Sequence, residues 1–170
     1  MTPADTLVTH YPTRIAQLQG PVYDYLKPMM PYNNTEQDLY MAVFRPTYRR
    51  VAPTTAFPAF VTKDNPGIYT PQDYINLVNG KKNKATLTAQ DWTALKNLAK
   101  KINVPVDSLY KLINFESSWD PQARNPKSGA RGLIQFMPKT AADMGYAAGS
   151  VATLIILIAA GWFLFYLLRK

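Results

Sequence analysis

The sequence predicts a mainly α-helical domain followed by a single apolar helix long enough to cross a membrane. Three observations lead there. Apolar residues recur at helical spacing: Leu109, Leu112, Ile113, Glu116 and Trp119 fall on one face at about 100° per residue. Helix-start signals recur as well, in Thr35 with Asp38, in Thr70-Pro71-Gln72-Asp73 and in Thr88 with Asp91. Finally, Val151 to Leu168, VATLIILIAAGWFLFYLL, runs without a charge before Arg169-Lys170.

Composition narrows the class. A chain of 170 residues that is 47% hydrophobic and 12% aromatic can build one domain with a core. It has no cysteine, which excludes disulfides and thiolate metal sites. His10 is the only histidine and reads as a surface residue. Asp64 and Asn65 suggest a calcium loop only faintly; the ligand spacing is absent and a turn is expected. Neither a metal nor an organic cofactor is implied. Nineteen basic against eleven acidic residues give a formal net charge of +8, which favours polyanions. No basic helix is interleaved with stacking aromatics, so nucleic acid is not expected, and the anionic partners left are lipid and the carboxylate-bearing cell wall.

In chain order, MTPADTLVTHYPTR has no apolar core and is no signal peptide. Ile15, Leu18, Val22, Tyr25 and Leu26 have helical spacing interrupted at Gly20-Pro21, and Pro28 and Pro31 stop the run. The turn Asn33-Asn34-Thr35 caps a core helix from Glu36 to Phe44. Residues 45 to 68 have no clear period and read as an ordered wrapping loop in which Phe57, Phe60 and Val61 seek burial. A helix from Thr70 to Val78 ends at Asn79-Gly80. Lys81-Lys82-Asn83-Lys84 reads as a solvated joint. Trp92, Leu95, Leu98, Ala99 and Ile102 give the next helix its buried face, with Trp92 as core.

The acid helix, Val106 to Trp119, ends at Asp120-Pro121, because the residue before a proline avoids the α region. Periodicity alone leaves two places for Glu116, on the apolar stripe or at the helix end facing solvent, and the loop that follows favours the stripe. A carboxylate among Leu, Ile and Trp loses hydration, which disfavours the charged form and raises its pKa towards the range useful to a general acid. Asn125-Pro126 and Ser128-Gly129-Ala130-Arg131-Gly132 then make a tight loop where main chain can approach a ligand. Gly132 to Pro138 returns to helix, with Pro138 in the first turn.

The pattern E-S-x-x-D-P followed by N-P-x-S-G-A-x-G-L-I-Q-F-M-P-x-T-A, from Glu116 to Ala141, resembles the catalytic core of lytic transglycosylases. These are lysozyme-like enzymes that cleave peptidoglycan, and the bacteriophage members look closest. The resemblance implies a lysozyme-like fold in which Glu116 serves as acid and then base. Ser128 and Gln135 would orient the sugar and its N-acetyl group, and main chain near Met137 would line the cleft. Ser117 would support the glutamate.

A second resemblance lies in the first half. VYDYLKP, D-L-Y-M-A-V-F-x-P-x-Y-R, F-P-A-x-V and N-P-G-I are similar to the segment that in the phage enzymes follows the glutamine motif and completes the groove. Here it precedes the glutamate, which implies a circularly permuted domain. Residues 1–80 then form the cleft wall, 81–88 the joining linker, 89–148 the catalytic half and 149–170 a transmembrane anchor. The Ile15–Leu26 helices are expected to pack against the helix ending near Gly145. Without permutation, the core would be truncated after Gly145 and preceded by an unrelated domain.

One departure stands out. Relatives place a tyrosine in an Ala-Tyr-Asn context opposite the glutamate, whereas this chain reads Val43-Phe44-Arg45. Tyr40 or Tyr48 would substitute, or Phe44 would serve as wall. The resemblance and the apolar tail together imply a membrane-anchored peptidoglycan lytic transglycosylase. Its expected setting is a virion membrane, acting in the periplasm on the host wall, with other virion proteins as further partners. The rivals are a bacterial inner-membrane transglycosylase, a hydrolysing muramidase and a non-catalytic glycan-binding virion protein.

Overall fold

Helix-start chemistry sets most of the architecture. The computed structural model describes residues 1–32, 35–82 and 84–147. Among these, nine α-helices follow one another: α1 Pro3–His10, α2 Arg14–Gln19, α3 Pro21–Leu26, α4 Glu36–Phe44, α5 Ala59–Asp64, α6 Pro71–Gly80, α7 Ala89–Lys101, α8 Val106–Ser117 and α9 Pro138–Asp143. At α1, α6 and α7 a capping threonine accepts from the third backbone N–H while an aspartate reaches back, Thr2 with Asp5, Thr70 with Asp73 and Thr88 with Asp91. Thr35 caps α4 by accepting from the Asp38 N–H at 3.0 Å. Asn33 and Asn34 lie outside the described residues.

The core runs through every helix. Leu109, Leu112 and Ile113 of α8 are fully buried with Leu95 of α7 and Ile102 at its C-cap, Leu39 and Met41 of α4, and Leu18 and Leu26 of α2 and α3. Each such leucine contributes about 2 kcal/mol by leaving water. α8 lies between α4, α6 and α7, so the helix carrying Glu116 has protein on three sides. Two cross-links tie the leading segment to the chain after α8. Arg14 donates from Nε to the Trp119 carbonyl at 2.7 Å and pairs with Asp91 at 3.1 Å. Gln17, fully buried, donates from Nε2 to the Tyr11 and Pro121 carbonyls at 2.9 and 2.7 Å and accepts the Leu133 N–H at 2.9 Å.

Several expectations are corrected. The N-terminal stretch is the helix α1, with Ala4, Leu7 and Val8 buried. It is α1 that lies along α9, while α2 packs on α7. The α3 segment meets the approach to α9 through Tyr25, whose ring is edge-on to Phe136 at 5.8 Å. Loop 45–68 holds the short helix α5; Val61 and Phe57 are buried, but Phe60 is 61% exposed and lies under the Arg45 guanidinium. Trp92 is 37% exposed, stacked on Tyr110 at 5.3 Å rather than enclosed. Helix α8 stops at Ser117, two residues early, because Ser118 adopts a left-handed cap with φ 54°. Trp119 is buried all the same, brought in by the turn and not by helical spacing. Residues 132–137 form a tight turn with Arg131 bridged to Phe136, and helix resumes only at Pro138.

No helix among the described residues is long and apolar enough to cross a membrane. The expected span, Val151 to Leu168, lies outside the described residues, as does the whole 149–170 segment assigned to an anchor.

Candidate active site

Glu116 occupies the last turn of α8, half-buried, at the edge of an open groove of about 490 Å³. Ser117, Ser118, Ala123, Arg124, Asn125, Pro126, Lys127 and Gln135 complete the lining, and among the described residues no other carboxylate faces it. The groove exists because the chain reverses sharply after α8. Ser118 and Trp119 are consecutive non-glycine residues in the left-handed region, at φ 54° and 65°. Such residues cost on the order of 1 to 3 kcal/mol each and persist only where surroundings hold them. Here Lys81 reaches the Ser118 hydroxyl at 3.0 Å and Arg14 the Trp119 carbonyl.

Opposite Glu116 stands a residue not singled out from sequence. Tyr74, in the middle of α6, donates its hydroxyl proton to Glu116 Oε1. The ring is 2% exposed, stacked on Phe44 at 4.3 Å and edge-on to Phe115 at 5.5 Å. Burial and the neighbouring carboxylate hold the phenol well above its ordinary pKa, so it stays a donor. Loss of solvation pushes the Glu116 carboxyl up to about 7, although the Tyr74 hydrogen bond and the Lys81 charge both pull it down. Such a carboxyl can give a proton near neutral pH and take one back.

The expected tyrosines are elsewhere. Tyr40 is fully buried and donates to Glu36 Oε1 at 2.9 Å, in a network with Asn79 and Ser108 that joins α4, α6 and α8. It does not face the groove. Tyr48 packs edge-on to Phe57 at 4.7 Å. Phe44 is a backing plate for Tyr74 and is not among the residues that line the groove. A phenol at helical spacing with Val78 was the available signal for Tyr74: a buried hydroxyl demands a polar partner.

Of the loop residues, Gln135 lines the groove with a left-handed backbone, φ 52°, and donates from Nε2 to the Gly132 carbonyl at 3.0 Å. Ser128 is exposed on the rim, its hydroxyl accepting the Ala130 N–H at 3.3 Å, outside the groove lining. Met137 is 46% exposed and caps α9; with Tyr25, Val43 and Gln135 it lines a small cleft of about 40 Å³ next to the groove. Ser117 turns back to the Ile113 carbonyl at 3.2 Å and makes no bond to Glu116. Asp120 accepts the Gln122 N–H at 2.8 Å, a turn-holding role.

Residues 93–154 match the family model described as Transglycosylase SLT domain, rather more than a third of the chain. That segment is therefore similar to the lysozyme-like lytic transglycosylases, and the match supports a peptidoglycan substrate. It contains Glu116, Ser128, Gln135 and Met137; Tyr74, Phe44 and Lys81 reach the site from outside it. Comparisons with curated proteins and with solved structures found no match.

Proposed function

We propose that this chain is a peptidoglycan lytic transglycosylase in which Glu116 acts alone, first as acid and then as base. The observation that carries the reading is a carboxyl of pKa about 7, held by the Tyr74 hydroxyl, at the edge of a groove that no second carboxylate lines among the described residues. A two-carboxylate mechanism needs a partner acid across the scissile bond. Asp120 is engaged with its own turn.

Protonated Glu116 gives its proton to the glycosidic oxygen, and the bond from that oxygen to C1 of the muramic residue breaks. The carbonyl oxygen of the N-acetyl group on C2 shares the charge at C1. The Glu116 carboxylate then removes the proton of the C6 hydroxyl, whose oxygen closes on C1 to form a 1,6-anhydro sugar. Glu116 ends protonated, ready for another turn. Gln135 orients the sugar, and Ser128 and Met137 contribute the rim.

In this reading residues 1–80 are the family's second wall placed first in the chain. Tyr74 facing Glu116, and the reach of Gln17 to both Pro121 and Leu133, support it. The uncharged run 151–168 supports a single-pass tether, and the likeness of the site motif to phage enzymes supports carriage on a virion membrane and action at the host wall. Mass spectrometry of fragments from digested murein tests the chemistry. Anhydro-muramic ends are expected; fragments ending only in reducing sugars would replace this reading with a hydrolase.

A further inference from the structure

The joining segment between the two halves reaches the site. Lys81 Nζ donates to the Asn114 carbonyl at 2.6 Å, the Phe115 carbonyl at 3.1 Å and the Ser118 hydroxyl at 3.0 Å, and lies 5.9 Å from the centre of the Phe115 ring. The last four carbonyls of a helix have no partner within it and carry the negative end of its dipole, so a cation there binds them and is favoured by the field. Lys81 takes two carbonyls of the last turn, both just ahead of Glu116 in the chain, that of Asn114 shared with the Ser118 N–H at 3.0 Å, and the hydroxyl of the left-handed residue that follows.

We propose that Lys81 is a positioning residue for Glu116: its ammonium locks the end of α8 and the left-handed corner behind it, fixing where the carboxyl stands. The inference rests on Glu116 being the acid and base described above. Lys81 does not touch the groove; it acts through α8 and through its charge. That charge favours ionised Glu116 and so offsets part of the effect of burial. The other groups that bear on Glu116 are distributed around it. Tyr74 comes from α6, Tyr25 from α3, and Arg124 and Lys127 from the groove loop. Glu36 of α4 bonds Ser108 two turns back along α8, and Asp91 of α7 is paired with Arg14. Among the described residues, Lys81 is a cation bound to the helix end itself.

The test compares the full chain with Lys81→Met, Lys81→Arg and Glu116→Gln, following murein clearing from pH 4 to pH 9. Protonated Glu116 starts the reaction, so activity falls as pH rises through its pKa. In Lys81→Met the low-pH rate should fall roughly tenfold, as a displaced catalytic group requires, while the alkaline midpoint moves to higher pH because a favourable cation is gone. Lys81→Arg should restore both. A merely structural loss would lower the rate with the midpoint unmoved, and that result overturns the proposal. Titration of Glu116 by carboxyl-carbon NMR reads the same shift if clearing by Lys81→Met is too weak. A Glu116→Gln variant as active as wild type sinks the acid/base assignment instead, which separates the two failures.

Discussion

The hydroxyl of Tyr74 donates to Glu116 Oε1 across 42 residues of sequence, joining the middle of α6 to the last turn of α8. One hydrogen bond thus connects the stretch before the family match to the stretch inside it. It also fixes the orientation of the carboxyl oxygen it holds.

Tyr74→Phe keeps the ring that stacks on Phe44 and Phe115 and removes the donor. A hydrogen bond to a charged group contributes about 1.5 to 3 kcal/mol, so kcat/KM at neutral pH should fall at least roughly tenfold. The bond stabilises the ionised form, so its loss raises the Glu116 pKa and moves the alkaline limb of the pH profile upward. Tyr74→Ala also empties a packed site and should cost about 3 to 5 kcal/mol in urea unfolding.

Glu116 makes stability depend on pH in a defined direction. Its folded pKa, about 7, lies above the ordinary 4.5. Between these values the folded protein holds more protons than the unfolded one, so stability falls as pH rises from about 4.5 to about 7 and stays lowered above. The loss is on the order of 3 kcal/mol at most, reduced by the water that reaches the groove edge. Glu116→Gln should therefore unfold at a higher Tm than wild type at pH 8, with the gap closing by pH 4.5. An equal Tm at both pH values contradicts the burial argument.

Gln17 ties the turn after α8 to the loop that leads into α9. Gln17→Ala strands the Leu133 N–H and the Pro121 carbonyl in the interior and should cost about 2 to 4 kcal/mol, read as a lower urea midpoint. Gly132→Ala should be comparably harmful. Gly132 has φ 77°, and a Cβ there would lie 2.7 Å from Gln17 Oε1 and 3.2 Å from Val8 Cγ1.

Tyr40→Phe separates a wall residue from a core one. Because Tyr40 is buried against Glu36 and Asn79, the substitution should lower stability by about 1 to 2 kcal/mol and leave KM for murein unchanged. A raised KM with unchanged stability would return Tyr40 to the groove.

What sequence reading reached and missed follows the range of the interactions. Glu116, Gln135 and the glycine-rich loop between them lie within twenty residues of each other, so fixed spacing carries their roles. Helix starts are equally local, which is why α4, α6 and α7 were legible from their threonines. Thr2-Pro3-Ala4-Asp5 has the same pattern as Thr70-Pro71-Gln72-Asp73, but its helix buries only three apolar residues, too few for hydrophobic spacing to announce it. Tyr74 and Lys81 could not be assigned from spacing, because each meets Glu116 or its helix end only through the packing of α6 on α8. Tyr40 shows the converse error, since proximity in sequence to a recognised motif put it at a groove that α4 turns it away from. Trp119 was expected inside for the wrong reason: a left-handed turn buries it where helical periodicity does not apply.

The most direct test is a zymogram of the full chain beside Glu116→Gln, with murein binding measured on the same preparations. The glutamine variant keeps the shape of the groove and its bond to Tyr74 but has no proton to give. It should bind murein as wild type does and clear none of it. Clearing at the wild-type rate would show that Glu116 is not the acid, and the account built on it would be wrong.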